Sequence, residues 1–150
     1  MKIRQLKKKE IKSAAKIVGL NYSKLAEKLA IKELGAMFHD LSFHPNYVVA
    51  EVKGKIIGLA GYIQDWIDYN IYGIFWVNVA PAYQRRGIGQ ALIKKIIGKI
   101  AKKPDARLII LTTQKPKFYT RFGFKTLIKF TSKSKISKGR KNSLMALKLK

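Results

Sequence analysis

A glycine turn that carries two arginines lies past the middle of the chain and has the residue types needed to hold phosphate. Residues 84–89 read Q-R-R-G-I-G. The apolar run Ile71–Val79 before the turn predicts a strand, and the periodic segment Gln90–Lys102 after it predicts a helix. Glycine lets the backbone approach an anion without an intervening Cβ, and the first turn of a helix offers unpaired N–H groups and the positive end of its dipole. The segment predicts an anion-binding turn, although such turns also occur in proteins that bind no phosphate.

The spacing of the glycines excludes two better-known phosphate loops. Neither G-x-G-x-x-G nor G-x-x-x-x-G-K-[ST] is present. The only later acid is Asp105, 18 positions beyond Gly87, and it does not follow a G-x-G-x-x-G pattern. A Rossmann dinucleotide site is therefore not expected.

Length and composition indicate one folded domain over residues 1–150. The chain has no cysteine, which excludes disulfides, thiolate metal sites and a cysteine nucleophile. Its two histidines are too few for a typical zinc site unless several of the scarce carboxylates join them. We expect no metal.

The charge is strongly basic, with 32 Lys and Arg against 8 Asp and Glu and a net charge of +24. Such a field attracts polyanions, including nucleic acid. The lysines are scattered along the chain rather than interleaved with stacking aromatics, so compositional drift and a polyanionic partner both remain open explanations.

No apolar run reaches the ~20 residues of a membrane span, and the basic N-terminus leads into no apolar core of a secretory signal. We expect a cytoplasmic protein.

Hydrophobic periodicity predicts an alternation of strands and helices over the whole chain. The polar stretch Thr131–Ser143 is predicted to be a mobile loop that covers or recruits something. Strands are predicted at Lys2–Lys7, Asn46–Lys53, Ile56–Gln64, Ile71–Val79, Arg107–Thr112, Lys125–Phe130 and Leu144–Leu149, and helices at Glu10–Leu20, Ser23–Leu34, Gln90–Lys102 and Lys117–Phe122.

This order of elements, with the glycine turn after the fourth strand, resembles the GNAT family of acetyl-CoA-dependent N-acetyltransferases. Residues 84–89 fit the family's Q/R-x-x-G-x-G/A coenzyme A motif, and residues 118–124, F-Y-T-R-F-G-F, resemble its F-Y-x-x-x-G-F segment. Residues 77–81, V-N-V-A-P, resemble the end of its fourth strand. The likeness covers essentially the whole chain.

The resemblance implies an α/β fold in which about four helices flank a mixed, mostly antiparallel sheet of about six or seven strands. It implies that the fourth and fifth strands are parallel and splay apart to admit the pantetheine arm of acetyl-CoA, the implied cosubstrate. It also implies that a backbone N–H near Val77 stabilises the oxyanion of a tetrahedral intermediate. The cofactor-binding residues implied are Val77, Asn78, Val79, Gln84, Arg85, Arg86, Gly87, Ile88, Gly89 and Gln90.

Tyr119 is the catalytic residue that the resemblance implies. A phenol, with a reference pKa near 10, is protonated at neutral pH and can donate its proton to the departing thiolate. The alternative is that Tyr119 only packs among the neighbouring phenylalanines.

The general base is left open. The family often uses a glutamate on the fourth strand, but Ile71–Val79 contains no carboxylate. Asp65, Asp68, His39 and His44 remain as candidates, as does a chain of water molecules.

The predicted function is the transfer of an acetyl group to a primary amine by direct attack, with a monomer or homodimer expected. The basic surface weakly favours an acidic or nucleic-acid-associated acceptor, such as a protein amino group. The alternative is a basic nucleic-acid- or ribosome-associated module that keeps the fold as a scaffold. Six aromatic residues are expected near the acceptor groove: Phe38, Phe43, Tyr62, Trp66, Tyr69 and Trp76.

Overall fold

Seven strands form one mixed sheet in the order β1-β2-β3-β4-β5-β7-β6, and four helices pack on it, in a computed structural model that describes residues 1–150. The predicted α/β fold, with its single parallel pair between the fourth and fifth strands, is confirmed. The elements are β1 Lys2–Gln5, α1 Ile11–Asn21, α2 Lys24–Gly35, β2 Asn46–Val52, β3 Lys55–Gln64, β4 Ile71–Val79, α3 Ile88–Ala101, β5 Leu108–Thr113, α4 Pro116–Thr120, β6 Lys125–Thr131 and β7 Lys141–Lys148.

All eleven predicted elements are present, and two bounds differ in informative ways. Helix α3 begins at Ile88 rather than Gln90, because Gly87 ends the preceding turn in a left-handed conformation with φ 79°. Strand β7 begins at Lys141 rather than Leu144, so the polar loop is shorter than predicted and spans residues 132–140. The first residues of β7 pair with β6 through backbone hydrogen bonds, and such pairing leaves no trace in a hydropathy pattern.

Strands β4 and β5 pair over only three residues each, Ile71–Gly73 with Leu108–Ile110. Farther along β4, Phe75 pairs with Gly61 and Asn78 pairs with Leu59, which leaves Trp76 and Val77 opposite a single residue of β3. Trp76 has φ 49°, as expected at a bulge. Because a bulge bends its strand, β4 and β5 separate beyond this point and open a gap in the middle of the sheet.

The two faces of the sheet carry separate cores. One core packs α3 against the sheet through Leu92, Ile93, Ile96 and Ile100, all fully buried. The other packs α1 and α2 on the opposite face through Val18, Leu34 and small alanines. Burial of each large aliphatic side chain contributes roughly 1.5–3 kcal/mol, so both helical layers hold the sheet rigid around the gap.

At one edge of the sheet, β6 exposes every residue, including Leu127, Ile128 and Phe130. The C-terminal hairpin therefore has an exposed edge that carries apolar side chains. No helix is both long and apolar enough to cross a lipid bilayer.

An ionic cluster ties β1 to β2 and to the start of α1. The Arg4 guanidinium donates to both carboxylate oxygens of Glu10, at 2.7 and 2.9 Å, and to Glu51 Oε1 at 2.6 Å. Its hydrogen bonds to Glu10 lower the pKa of that carboxyl from its ordinary value of 4.5 to about 2.

We expect Glu10→Gln to lower the free energy of unfolding by about 1–2 kcal/mol at pH 7, since a forked, partly screened pair is lost. The folded-state pKa of Glu10 is depressed, so its contribution is complete above pH about 4.5 and is lost as pH falls toward about 2. Urea unfolding at several pH values should show the wild-type and variant curves converging in that window. Glu27→Gln, which removes only an exposed pair with Lys24, should cost under about 0.5 kcal/mol at any pH. A difference in the free energy of unfolding between wild type and Glu10→Gln that stays constant with pH would contradict this assignment.

Candidate active site

The gap between β4 and β5 is a cleft of about 1030 Å³, which we call the β4/β5 cleft. Its walls come from the ends of β4 and β5, the turn before α3, helix α4 and the loop between β6 and β7. Two of its residues, Asn21 and Tyr22, come from the end of α1.

The turn before α3 presents six consecutive backbone amides without a backbone acceptor. The first helical bond is donated by the Ala91 amide to the Gly87 carbonyl at 3.0 Å, so the amides of residues 85–90 remain unpaired. Arg85 and Gly87 both have positive φ, 61° and 79°. Such alternation of backbone conformation turns successive N–H groups toward a common point and forms an anion-binding concavity.

The charge in the β4/β5 cleft is entirely positive. No Asp, Glu or His lines it, whereas four basic side chains do. Arg121 lies over the Phe118 ring at 5.3 Å, and Arg140 donates to Gln114 Oε1 at 3.2 Å, so both guanidinium groups are held in place. The basic residues are Arg85, Lys115, Arg121 and Arg140.

A network of amide side chains fixes the glycine turn to two other elements. Asn21 Nδ2 donates to Asn78 Oδ1 and to the Val79 carbonyl, both at 3.0 Å. Gln84 Nε2 in turn donates to Asn21 Oδ1 and to the same carbonyl, again at 3.0 Å. Gln84 therefore anchors the turn to α1 and β4, and leaves anion contact to the backbone amides.

Tyr119 lies on α4, where its ring packs edge-on against Phe118 and Phe124 at centroid distances of 4.9 and 5.9 Å. The residue lines the β4/β5 cleft and is 8% exposed, and its hydroxyl takes part in none of the side-chain hydrogen bonds. Burial, with a smaller contribution from Tyr22, raises the pKa of Tyr119 above its ordinary value. The phenol is therefore protonated at neutral pH and free to donate.

The structure brings most of the predicted site residues together. Tyr119 and nine of the ten predicted cofactor-binding residues line the cleft. The tenth, Arg86, does not, because its guanidinium lies over the Tyr83 ring at 5.5 Å.

None of the four candidate bases lines the cleft. Asp65 and Asp68 each accept a hydrogen bond from a backbone amide two residues on, at 2.8 Å, as turn residues do. His44 Nδ1 lies 3.3 Å from the Pro45 carbonyl oxygen on the surface, and His39 is exposed. No three His, Asp or Glu residues cluster closely enough to hold a metal ion.

Of the six aromatic residues expected near the acceptor groove, only Trp76 lines the cleft. Phe43 packs against both Trp66 and Tyr69 on loops, and Phe38 and Tyr62 contribute to the two cores. The sequence did not distinguish these positions, because an aromatic residue shows no local signal that tells whether it packs in the core or lines a groove.

Several residues that line the cleft were not predicted from the sequence. Asn21 is joined to Gln84 across 63 positions of sequence. The loop 132–140 contributes Ser134, Ile136, Ser137 and Arg140, and is held by a 2.7 Å contact between the hydroxyls of Ser132 and Ser137. The polar composition of residues 131–143 had already indicated a loop that covers or recruits something, but it did not identify which of its residues would face the cleft.

The sequence matches the model of the acetyltransferase (GNAT) domain over residues 43–126, which is more than half of the chain. No curated protein matches the sequence significantly.

Solved structures of GNAT acetyltransferases share the fold. A protein assigned to the GNAT acetyltransferases of Desulfovibrio desulfuricans superposes with a TM-score of 0.82 at 18% identity, covering 99% of both chains. An aminoglycoside 6'-N-acetyltransferase complexed with coenzyme A gives 0.79 at 14% identity, covering 100% of this chain and 98% of that one. Ribosomal-protein-alanine N-acetyltransferase from Brucella melitensis gives 0.78 at 17% identity, covering 99% and 100%. The family match, joined to this fold, shows that the chain belongs to the GNAT family of acetyltransferases and is an acyltransferase of that fold.

Proposed function

We propose that the protein transfers the acetyl group of acetyl-CoA to a primary amine, with acetyl-CoA bound in the β4/β5 cleft. The observation that carries the proposal is the run of six unpaired amides at the start of α3, set in a cleft whose charged side chains are all basic. A coenzyme A complex of a protein with the same fold supports the choice of ligand.

The proposed binding mode follows from the chemistry of the lining. The pyrophosphate is bound by the amides of residues 85–90 and the positive end of α3, with guanidinium groups adding charge-assisted bonds to phosphate oxygens. Residues 77–79 offer main-chain groups to the pantetheine arm along the separated part of β4. Asn78 is one of these residues, and its side-chain oxygen is already bonded to Asn21.

In the proposed reaction the amine nitrogen attacks the thioester carbonyl, and the oxyanion of the tetrahedral intermediate is stabilised by the backbone N–H of Val77. The carbon–sulfur bond then breaks. The phenol of Tyr119 gives its proton to the thiolate, so that coenzyme A leaves as a thiol and the nitrogen keeps the acetyl group as an amide. Tyr119 recovers a proton from solvent.

The attacking nitrogen must also lose a proton. Because no carboxylate or imidazole lines the β4/β5 cleft, we propose that water takes this proton at the point of attack.

Calorimetry at about 0.15 M salt, with ATP as a polyanion control, tests acetyl-CoA binding, since this salt screens a purely electrostatic attraction beyond about 8 Å. We expect saturable one-to-one binding of acetyl-CoA and at least tenfold weaker binding of ATP. Equal affinities that fall together with salt would contradict the proposal and would favour the nucleic-acid-associated alternative.

A further inference from the structure

A second, smaller pocket shares two residues, Phe75 and Trp76, with the β4/β5 cleft. Its volume is about 390 Å³, within the range of small-molecule sites, and its wall is mainly apolar. We name it the Glu33 pocket after its only charged residue. It is lined by Glu33, Ala36, Pro45, Tyr47, Phe75 and Trp76.

The Glu33 carboxylate is held in place but not neutralised. Trp76 Nε1 donates to its Oε2, which leaves Oε1 without a partner. The chain has 32 basic residues, yet no Lys or Arg nitrogen lies within 4.0 Å of Glu33. The three ion pairs in the structure involve Glu10, Glu51 and Glu27. An exposed carboxylate without a basic partner therefore lines the pocket.

Tyr47 contributes a second polar group that lacks a partner. The residue is 1% exposed, it lines the pocket, and its hydroxyl makes no hydrogen bond. Burial and the charge of Glu33 both raise the pKa of Tyr47, so the hydroxyl is neutral. A buried hydroxyl without a partner is destabilising, which makes it a group that a ligand could satisfy.

Two of the three aromatic rings that line the pocket pack closely against each other. Tyr47 and Phe75 pack edge-on at a centroid distance of 5.7 Å. A Cβ at Gly61 would come within 2.5 Å of Tyr47 Cε1 and 2.7 Å of Phe75 Cε2, so only glycine allows both rings to take these positions.

We propose that the Glu33 pocket binds the ammonium group of the acceptor, and that the acceptor is a small primary amine with an apolar body. This inference rests on the proposed acetyl transfer. The ammonium donates to Glu33 Oε1 and to the Tyr47 hydroxyl oxygen, while its charge lies against the aromatic faces of Phe75 and Trp76. The shared wall places it beside the cleft proposed to hold the thioester.

The local chemistry of the pocket selects against other acceptor classes. A carboxylate or phosphate would face Glu33 with no basic residue in the lining to compensate. The net charge of +24 repels cations at long range, but salt screens that repulsion, whereas the contact with Glu33 is direct. The pocket thus favours a small organic cation over the acidic acceptor that the overall charge suggests.

Three isosteric probes test the inference by direct binding to the full-length protein. Benzylamine carries the ammonium at neutral pH, benzyl alcohol keeps the shape without the charge, and benzoate reverses the charge. We expect benzylamine to bind at least tenfold more tightly than either of the others. Glu33→Gln should abolish that preference, whereas Glu27→Gln, on the same helix but outside both cavities, should keep it. An equal affinity for all three probes, or an equal effect of both variants, would overturn the proposal.

Tyr47→Phe separates binding from folding. Because the substitution removes a buried hydroxyl without a partner, the Tm should stay the same or rise, while benzylamine affinity should fall about threefold to tenfold. Unchanged benzylamine affinity in this variant would show that the hydroxyl does not bind the ammonium, and would overturn its place in the site.

Acetyl-CoA binding, measured on the same samples, distinguishes this inference from the proposed function. If every variant binds acetyl-CoA but none discriminates among the probes, only the Glu33 pocket assignment fails. If the wild-type protein binds benzylamine through Glu33 but does not bind acetyl-CoA, the proposed function fails instead.

Discussion

Replacement of Tyr119 by phenylalanine should lower kcat for acetyl transfer by about 10²–10³-fold, the usual contribution of a general acid. The variant removes only the hydroxyl. The ring contacts with Phe118 and Phe124 remain, so α4 should keep its position. Thiol release under saturating acetyl-CoA measures kcat, and calorimetry should show a Kd for acetyl-CoA within threefold of wild type.

Tyr72→Phe is the matched control for this experiment. Like Tyr119, Tyr72 carries a buried phenol, but it lies on β4 in the central sheet. Burial, together with Asp105, raises its pKa to about 12. It does not line the cleft, and its hydroxyl donates to Asp105 at 3.3 Å. We expect its loss to change stability but leave kcat within threefold. If Tyr119→Phe had no larger effect on kcat than this control, Tyr119 would not be the general acid.

Replacement of Gly87 by valine should weaken acetyl-CoA binding by about 100-fold or more, equivalent to about 2.7 kcal/mol. Gly87 has φ 79°, a conformation that costs a β-branched residue roughly 1–3 kcal/mol. A Cβ at this position meets no atom within 4 Å, so strain in the backbone, rather than a clash, is the cause. Relief of that strain would move the unpaired amides of residues 85–90 out of their common orientation.

Gly98→Val controls for the effect of valine on the same helix. Gly98 is exposed on α3, a Cβ there also meets open space, and its φ is not positive. We expect acetyl-CoA affinity to be unchanged and the free energy of unfolding to move by less than about 0.5 kcal/mol. Comparable losses of affinity in both variants would indicate that helix α3 as a whole, and not the conformation of the turn, determines binding.

Local signals predicted the elements well, for reasons visible in single residues. Ser23 accepts a hydrogen bond from the Ala26 amide at 3.2 Å and begins α2, as its capping chemistry predicts. Lys53 and Gly54 both have positive φ and make a tight turn between β2 and β3, at the short interval between the two predicted strands. The start of β7 was missed because its first residues are polar and gain their structure from backbone pairing with β6.

The sequence by itself determined the order of elements and the glycine turn before α3, because hydrophobic period and glycine placement act within a few residues. Only the tertiary structure decided which side chains meet. It turned Arg86 onto Tyr83, and it joined Asn21 to Gln84 and Glu33 to Trp76, pairs 63 and 43 positions apart. It also left Asp65 and Asp68 in their turns, outside the cleft. Such contacts depend on strand register, on the bulge at Trp76 and on how helices pack across the sheet, and none of these is written in a local pattern of residues.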